Sequence, residues 1–154
     1  MLYCRKKRHR YQQKGKILQA VIGGGMEIIM NPGDMKILIC DDSIMVQKKM
    51  QTLLQGNGFT QIFEAKDGEA AVEAYKNIQP DVVFMDIVMP GKSGVEALAE
   101  IRAMDPQAKV IMASSIGTQS NLKEAIDKGA YDFLQKPIED AQVLKLLGRI
   151  TGQK

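Results

Sequence analysis

The chain has 154 residues, of which 45% are hydrophobic and 25% are charged, and this is the composition of one ordinary globular domain. No apolar run approaches the ~18 residues of a membrane-spanning helix, so we expect no insertion into a membrane. The net charge of +3 averages two unlike segments, since residues 1–16 contain seven cations and no acid. The remainder has 21 − 7 = 14 cations against 18 acids, a net charge of −4, which gives no reason to expect nucleic acid as a partner.

The two cysteines, Cys4 and Cys40, form neither a metal-binding pattern nor a redox pair. Cys40 ends an apolar run and is predicted to be a core residue. Free, buried thiols are typical of a reducing compartment, so we expect a cytoplasmic protein.

Residues 1–34 differ from the rest in charge and glycine content and lack a sustained hydrophobic period. We expect a basic, disordered extension here, followed by one domain at 35–154. A ribosome-binding site translated in frame would read as glycines, so we interpret the extension as an artefact of start-site assignment. A signal peptide, a membrane anchor and a tail that binds nucleic acid or lipid are the alternatives. The candidates for the natural start residue are the three methionines after the glycine run at 23–25: Met26, Met30 and Met35.

The first half of the domain alternates strand-like and helix-like segments. Residues 36–40 are an apolar run of strand length, and 43–55 has helical spacing that stops at a Gly-Asn-Gly sequence. Residues 61–65 read as a shorter, more polar strand near a sheet edge, and 67–77 as a helix capped by Asp67. The apolar residues that give the first helix its helical spacing are Ile44, Val46, Met50, Leu53 and Leu54.

The second half continues the alternation. Its strands are predicted at 81–86, 109–113 and 131–135, and its helices at 93–104, 121–128 and 140–150. The run Val82–Met85 is typical of a strand buried on both faces. Ser93 and Glu96 have the spacing of a capping box, and Gly129 is a left-handed helix stop.

Strands that alternate with helices pair in parallel through crossover connections, with helices on both faces of the sheet. The sequence therefore predicts a five-stranded, doubly wound α/β sandwich. In such sheets the ligand site lies beyond the carboxyl ends of the strands.

Five polar side chains follow the predicted strands at those ends: Asp41, Asp42, Asp86, Ser114 and Lys136. Three carboxylates at close quarters raise one another's pKa, and a hard divalent cation removes this conflict. Oxygen-only ligands suit Mg²⁺, with Mn²⁺ as a substitute. One carboxylate would be the nucleophile that accepts a phosphoryl group, while the metal and the ammonium neutralise charge on the transferred oxygens.

Four segments resemble the motifs of bacterial two-component response regulator receiver domains, of the stand-alone, CheY-like chemotaxis type. The resemblance covers residues 35–150 and implies a flavodoxin-like fold with strand order 2-1-3-4-5, for which this family is itself a standard example. The segments are Asp41-Asp42-Ser43, Met85 to Gly91, Ala113-Ser114-Ser115, and Gly129 to Pro137.

The resemblance implies that Asp86 is the phospho-acceptor. It would take the phosphoryl group from the phosphohistidine of a histidine kinase or from a small acyl phosphate. Asp42, Asp86 and the backbone carbonyl of Val88 would ligate Mg²⁺, and Asp41 would act mainly through metal-bound water. The protein would not be an enzyme in the ordinary sense, since it would catalyse only its own phosphorylation and slow autodephosphorylation.

The resemblance further implies that Lys136 and Ser114 hold the phosphoryl oxygens and that the Lys136–Pro137 peptide bond is cis. Ser114 and Phe133 would be the switch pair, in which the hydroxyl moves toward the phosphate and the ring turns inward. Ser114 stands where the family more often has Thr, and Phe133 where it has Tyr.

Two apolar residues, Val88 and Ile116, lie two positions beyond Asp86 and Ser114, where the family often has polar groups. We expect both to shield the phosphoryl group and to slow its hydrolysis.

The resemblance implies an output surface made by the fourth helix, fifth strand and fifth helix, at about 118–150. Since no output domain follows in this sequence, we expect the phosphorylated surface to bind another protein. A flagellar switch protein is favoured because segment 113–119 is similar to that of chemotaxis receivers. A histidine phosphotransferase in a phosphorelay is the alternative partner, and a phosphatase is a further one.

Three other functions fit these residues less well. A flavin protein needs a hydroxyl- and glycine-rich phosphate loop where this chain has Asp41 and Asp42. A phosphatase of the haloacid dehalogenase type needs a second Asp where this chain has Val88. A receiver that is only a binding module would lack one of the key acids or the lysine, and this chain has them all.

Overall fold

The computed structural model describes residues 10–13, 16–19, 31–115 and 119–152. Within the segment predicted to be a disordered extension, Arg10–Gln13 and Lys16–Gln19 pair as an antiparallel hairpin, and Pro32–Asp34 form a 3-10 helix. A hairpin pairs its backbone groups locally, which a charge pattern does not reveal. The Gly33 carbonyl accepts a hydrogen bond from the Gln61 side chain at 2.8 Å, so contacts with the domain begin before residue 35. Met26 and Met30 lie outside the described residues, and the start-site hypothesis stays a prediction.

From residue 36 onward, the described residues form five strands and five helices in strict alternation. The strands are β1 (Lys36–Cys40), β2 (Gln61–Ala65), β3 (Val82–Asp86), β4 (Val110–Ser114) and β5 (Asp132–Gln135). The helices are α1 (Ile44–Gly56), α2 (Gly68–Ile78), α3 (Gly94–Met104), α4 (Gln119–Asp127) and α5 (Asp140–Thr151). No helix in the described ranges is both long and apolar enough to span a membrane.

All five strands pair in parallel in the order β2-β1-β3-β4-β5, which confirms the predicted doubly wound sheet and its strand order. The polar strand β2 lies at one edge, as predicted, and β3 is central and buried along its whole length. The fourth strand extends one residue further than predicted because Ser114 still pairs with Gln135.

The core has two layers, one on each face of the sheet. Successive strand side chains point to opposite faces, so Leu38 and Ile39 belong to different layers. The first layer is covered by α2, α3 and Ala125 of α4, and the second by α1 and α5. Burial on both faces explains why β3 and β4 read as continuous apolar runs.

The predicted helix ends are formed by the expected residues. The side chains of Asp67 and Ser93 accept hydrogen bonds from the backbone N–H groups of Ala70 and Glu96, at 2.8 and 3.2 Å. Such caps satisfy N–H groups that have no partner within the helix. Gly129 has φ of +95°, the left-handed conformation predicted for it.

The buried face of α1 does not coincide with its apolar residues. Ile44 is 58% exposed, whereas the buried residues of this helix are Gln47, Met50 and Leu54. These three are spaced as one helical stripe, so a polar amide occupies a position that apolar periodicity would assign to a hydrophobic residue. The side of α1 that contains this amide faces the sheet.

The start of α3 is packed directly against the end of β3. A Cβ atom on Gly94 would lie 2.0 Å from the backbone oxygen of Asp86, so a side chain cannot be accommodated without moving this backbone. The Gly94 N–H also donates to the Ile87 carbonyl at 2.9 Å. Glycine at this position therefore lets the loop after Asp86 turn tightly into the helix.

We predict that Gly94→Ala lowers the free energy of unfolding by about 1–3 kcal/mol, the range for inserting a methyl group into a packed site. Urea denaturation would measure it. Gly56→Ala is the matched control, because no atom lies within 4 Å of its added Cβ. The control should be neutral or stabilising by up to about 1 kcal/mol. Equal stability of Gly94→Ala and the unmodified chain would contradict the tight packing described here.

Candidate functional site

Three carboxylates meet at the carboxyl ends of β1 and β3. Asp41 and Asp42 follow β1, and Asp86 is the last residue of β3. Each can contribute an oxygen atom to a cluster whose members lie within 4.8 Å of one another. Asp41 and Asp86 are buried, with 4% and 8% of their surface exposed, whereas Asp42 is exposed. The cluster is therefore a recess that opens to solvent on the side of Asp42.

Lys136 reaches this cluster from the loop after β5. Its ammonium donates a hydrogen bond to Oδ2 of Asp41 at 2.6 Å and forms an ion pair with Oδ2 of Asp86 at 3.3 Å. Its backbone N–H donates to the Ser114 carbonyl at 2.9 Å, which ties the loop to the end of β4. The Lys136–Pro137 peptide bond is cis, as the resemblance implied.

The charges of the cluster are only partly balanced. Burial raises the pKa of Asp86, and the nearby Asp41 carboxylate raises it further, while Lys136 opposes both effects. Burial by itself would lower the pKa of Lys136, but its contacts with Asp41 and Asp86 outweigh burial and raise it. With all groups ionised, three carboxylates and one ammonium carry −3 + 1 = −2 charges. A divalent cation would neutralise this charge.

The two buried carboxylates are oriented by backbone donors. Oδ1 of Asp41 accepts a hydrogen bond from the Ser43 N–H at 2.8 Å, and Oδ1 of Asp86 accepts one from the Val88 N–H at 3.4 Å. Asp41 is therefore held on both oxygens, by Ser43 and by Lys136. The Val88 side chain is 56% exposed, an apolar group beside the opening of the recess.

The predicted switch residues lie on adjacent strands. Ser114 is fully buried at the end of β4, close to Lys136 through the backbone contact given above. Phe133 lies on β5 opposite Met112, is partly buried, and packs against the layer covered by α2 and α3. Ile116 lies outside the described residues. The roles of these residues stay predictions.

One residue of the site was not found by sequence reasoning. Gln47 of α1 is 3% exposed, and its Nε2 donates to the backbone carbonyls of Asp41 at 2.8 Å and Ala65 at 3.1 Å. Its only sequence signal is a polar residue three positions before the buried Met50. Polarity at such a position does not reveal which partner satisfies it.

Comparisons with known proteins agree with this geometry. The sequence profile of the response regulator receiver domain matches residues 37–148. The chemotaxis protein CheY of Bacillus subtilis is 43% identical over 114 residues, which are 74% of this chain and 95% of that protein.

Two solved structures are similar in fold. The CheX–CheY complex of Borrelia burgdorferi with BeF3 and magnesium matches with a TM-score of 0.72 and 37% identity, over 75% of this chain and 88% of that one. The receiver domain of the sensor histidine kinase PA1611 of Pseudomonas aeruginosa, with magnesium coordinated in its active-site cleft, matches with a TM-score of 0.70 and 26% identity, over 77% of this chain and 98% of that one. The chain therefore belongs to the response regulator receiver domain family, with CheY-like chemotaxis proteins among its relatives.

Proposed function

We propose that this protein is a phosphorylation-dependent signalling switch whose acceptor is Asp86. The observation that carries the proposal is the cluster of Asp41, Asp42 and Asp86, whose carboxylates lie within 4.8 Å of one another with the Lys136 ammonium on two of them. Three carboxylates, two of them buried, repel one another at this distance, and a bound cation would offset that repulsion.

Mg²⁺ fits the donor set of this recess. All three donors are carboxylates, the formal charge is −2, and the exposed Asp42 leaves an open side for water. We infer that Asp42, Asp86 and the Val88 carbonyl ligate the ion, with Asp41 acting through bound water. Support comes from the two similar structures described above, each of which contains magnesium.

Phosphoryl transfer to Asp86 needs no general base, because an ionised carboxylate is already a nucleophile. An Oδ atom of Asp86 attacks phosphorus, and the bond from phosphorus to the donor's nitrogen or oxygen breaks. The electron pair of that bond leaves with the donor, which is a kinase phosphohistidine or a small acyl phosphate. Lys136 and the Ser114 hydroxyl stabilise the equatorial oxygens, and Mg²⁺, when bound, would supply further neutralisation of their charge.

The phosphorylated form is read at the surface formed by α4, β5 and α5. Ser114 lies at the end of β4 beside this surface, so its movement toward a phosphoryl group would leave space for Phe133 on the neighbouring strand. Leu122 and Ile126 of α4, and Tyr131 just before β5, have exposed side chains. We infer that the partner is a flagellar switch protein, because the relative from Bacillus subtilis is a chemotaxis protein.

We predict that acetyl phosphate with Mg²⁺ adds the mass of one phosphoryl group to the intact protein, and that Asp86→Asn abolishes the adduct because an amide is not a nucleophile. Intact-mass spectrometry with and without EDTA measures both effects. Asp127→Asn, which alters an exposed carboxylate on α4, is the matched control and should be phosphorylated normally. Phosphorylation of Asp86→Asn to the same extent as the control would contradict the assignment of Asp86 as the acceptor.

We predict that Val88→Asn shortens the lifetime of the aspartyl phosphate by about tenfold, equivalent to a barrier lowered by ~1.4 kcal/mol. An amide beside the opening can hold and orient water, which the exposed apolar Val88 side chain does not do. The decay of the mass adduct after removal of the donor measures the lifetime. Val88→Ile, which stays apolar, should decay like the unmodified protein, and an unchanged lifetime for Val88→Asn would refute shielding.

A further inference from the structure

Gln47 forms a bridge between α1 and the ends of two strands. Its Nε2 donates to the carbonyl of Asp41 after β1 and to that of Ala65, the last residue of β2. The Asp41 N–H donates to the same Ala65 carbonyl at 3.1 Å. The Ala65 carbonyl therefore accepts two hydrogen bonds, one from Gln47 and one from the Asp41 N–H. The Gln47 amide binds the Asp41 residue on its carbonyl side as well.

All three oxygen atoms of Asp41 accept hydrogen bonds once this bridge is included. Its carbonyl is bound by Gln47, Oδ1 by the Ser43 N–H and Oδ2 by Lys136. The carbonyl of Asp41 belongs to the peptide group that leads into Asp42. Holding that carbonyl therefore constrains the backbone from which the exposed Asp42 side chain projects.

The burial of Gln47 indicates that these bonds are maintained. Only 3% of its surface is exposed, so water cannot replace the two carbonyl acceptors without opening the contact between α1 and the sheet. Removing a buried donor leaves its acceptors with a desolvation penalty. The Gln47 amide thus links the packing of α1 to the backbone geometry of the loop after β1.

We propose that Gln47 is a positioning residue for the divalent-cation site, acting through the backbone of Asp41 on the placement of Asp41 and Asp42. This inference rests on the proposed function, because it needs the acidic recess to bind Mg²⁺. Residues that orient metal ligands without touching the ion commonly change metal affinity by about tenfold or more when replaced.

The test separates positioning from simple stability. Gln47→Met keeps the length and approximate volume of the side chain but has no N–H donor. The midpoint of thermal unfolding is measured in EDTA and then across a Mg²⁺ titration, and the Mg²⁺-induced increment yields the dissociation constant. We expect a dissociation constant raised by about tenfold in Gln47→Met, beyond any loss of stability in EDTA.

Thr151→Val is the matched control. Thr151 is 1% exposed, its Oγ1 donates to the Gly148 carbonyl at 3.2 Å, and it is the last residue of α5. This control also removes a buried donor, so it should lower the unfolding midpoint in EDTA while leaving the Mg²⁺ dissociation constant unchanged. If Gln47→Met does not fold, Gln47→Asn keeps the amide on a side chain too short to reach both carbonyls and serves in its place.

Each outcome distinguishes between the inferences. An unchanged dissociation constant in a folded Gln47 variant would show that the amide is purely structural and would overturn its positioning role. If the unmodified protein itself gains no stability from Mg²⁺, the metal site of the proposed function fails, and the positioning role fails with it. A raised constant, together with a rate of labelling by acetyl phosphate that recovers at high Mg²⁺, supports positioning.

Discussion

The ion pairs of Lys136 with Asp41 and Asp86 are the interactions on which the site depends. They place a positive charge among three carboxylates that would otherwise repel one another at the end of the sheet. Burial makes the interaction strong and also makes it necessary, since a buried carboxylate without a partner is protonated or moves into solvent. The single ammonium leaves a formal charge of −2, so the recess is stable enough to form and still electrostatically incomplete.

The parallel sheet explains why distant residues meet here. In a parallel sheet the carboxyl ends of all strands lie at the same end of the sheet. Residues at or just after the ends of β1, β3, β4 and β5 therefore converge, although they are far apart in sequence. Backbone contacts then determine the spacing, with the Lys136 N–H bound to the Ser114 carbonyl and Gly94 packed on the backbone of Asp86. Main-chain contacts thus set the spacing of the strand ends, and the ion pairs of Lys136 then orient the carboxylates of Asp41 and Asp86.

Much of the fold and the site could be predicted from residue pattern. The alternation of apolar runs with amphipathic segments predicted five strands and five helices, and motif resemblance predicted the strand order and the cis peptide before Pro137. Apolar spacing did not identify the buried face of α1, since Ile44 is 58% exposed while the polar Gln47 is buried. Gln47 was missed for the complementary reason, since its polarity is satisfied by carbonyls 6 and 18 residues away in the chain.

The sequence by itself determined which residues could take part in the chemistry. An acid pair, a single acid, a serine pair and a lysine before proline stand at or directly after the ends of the predicted strands. Only the tertiary structure decided that Lys136 bonds to Asp41 and Asp86 together, that Val88 is exposed, and that Gln47 binds the backbone of Asp41. The physical reason is that hydrogen bonds and ion pairs form between elements, and their distances depend on how the helices pack on the sheet rather than on local propensity.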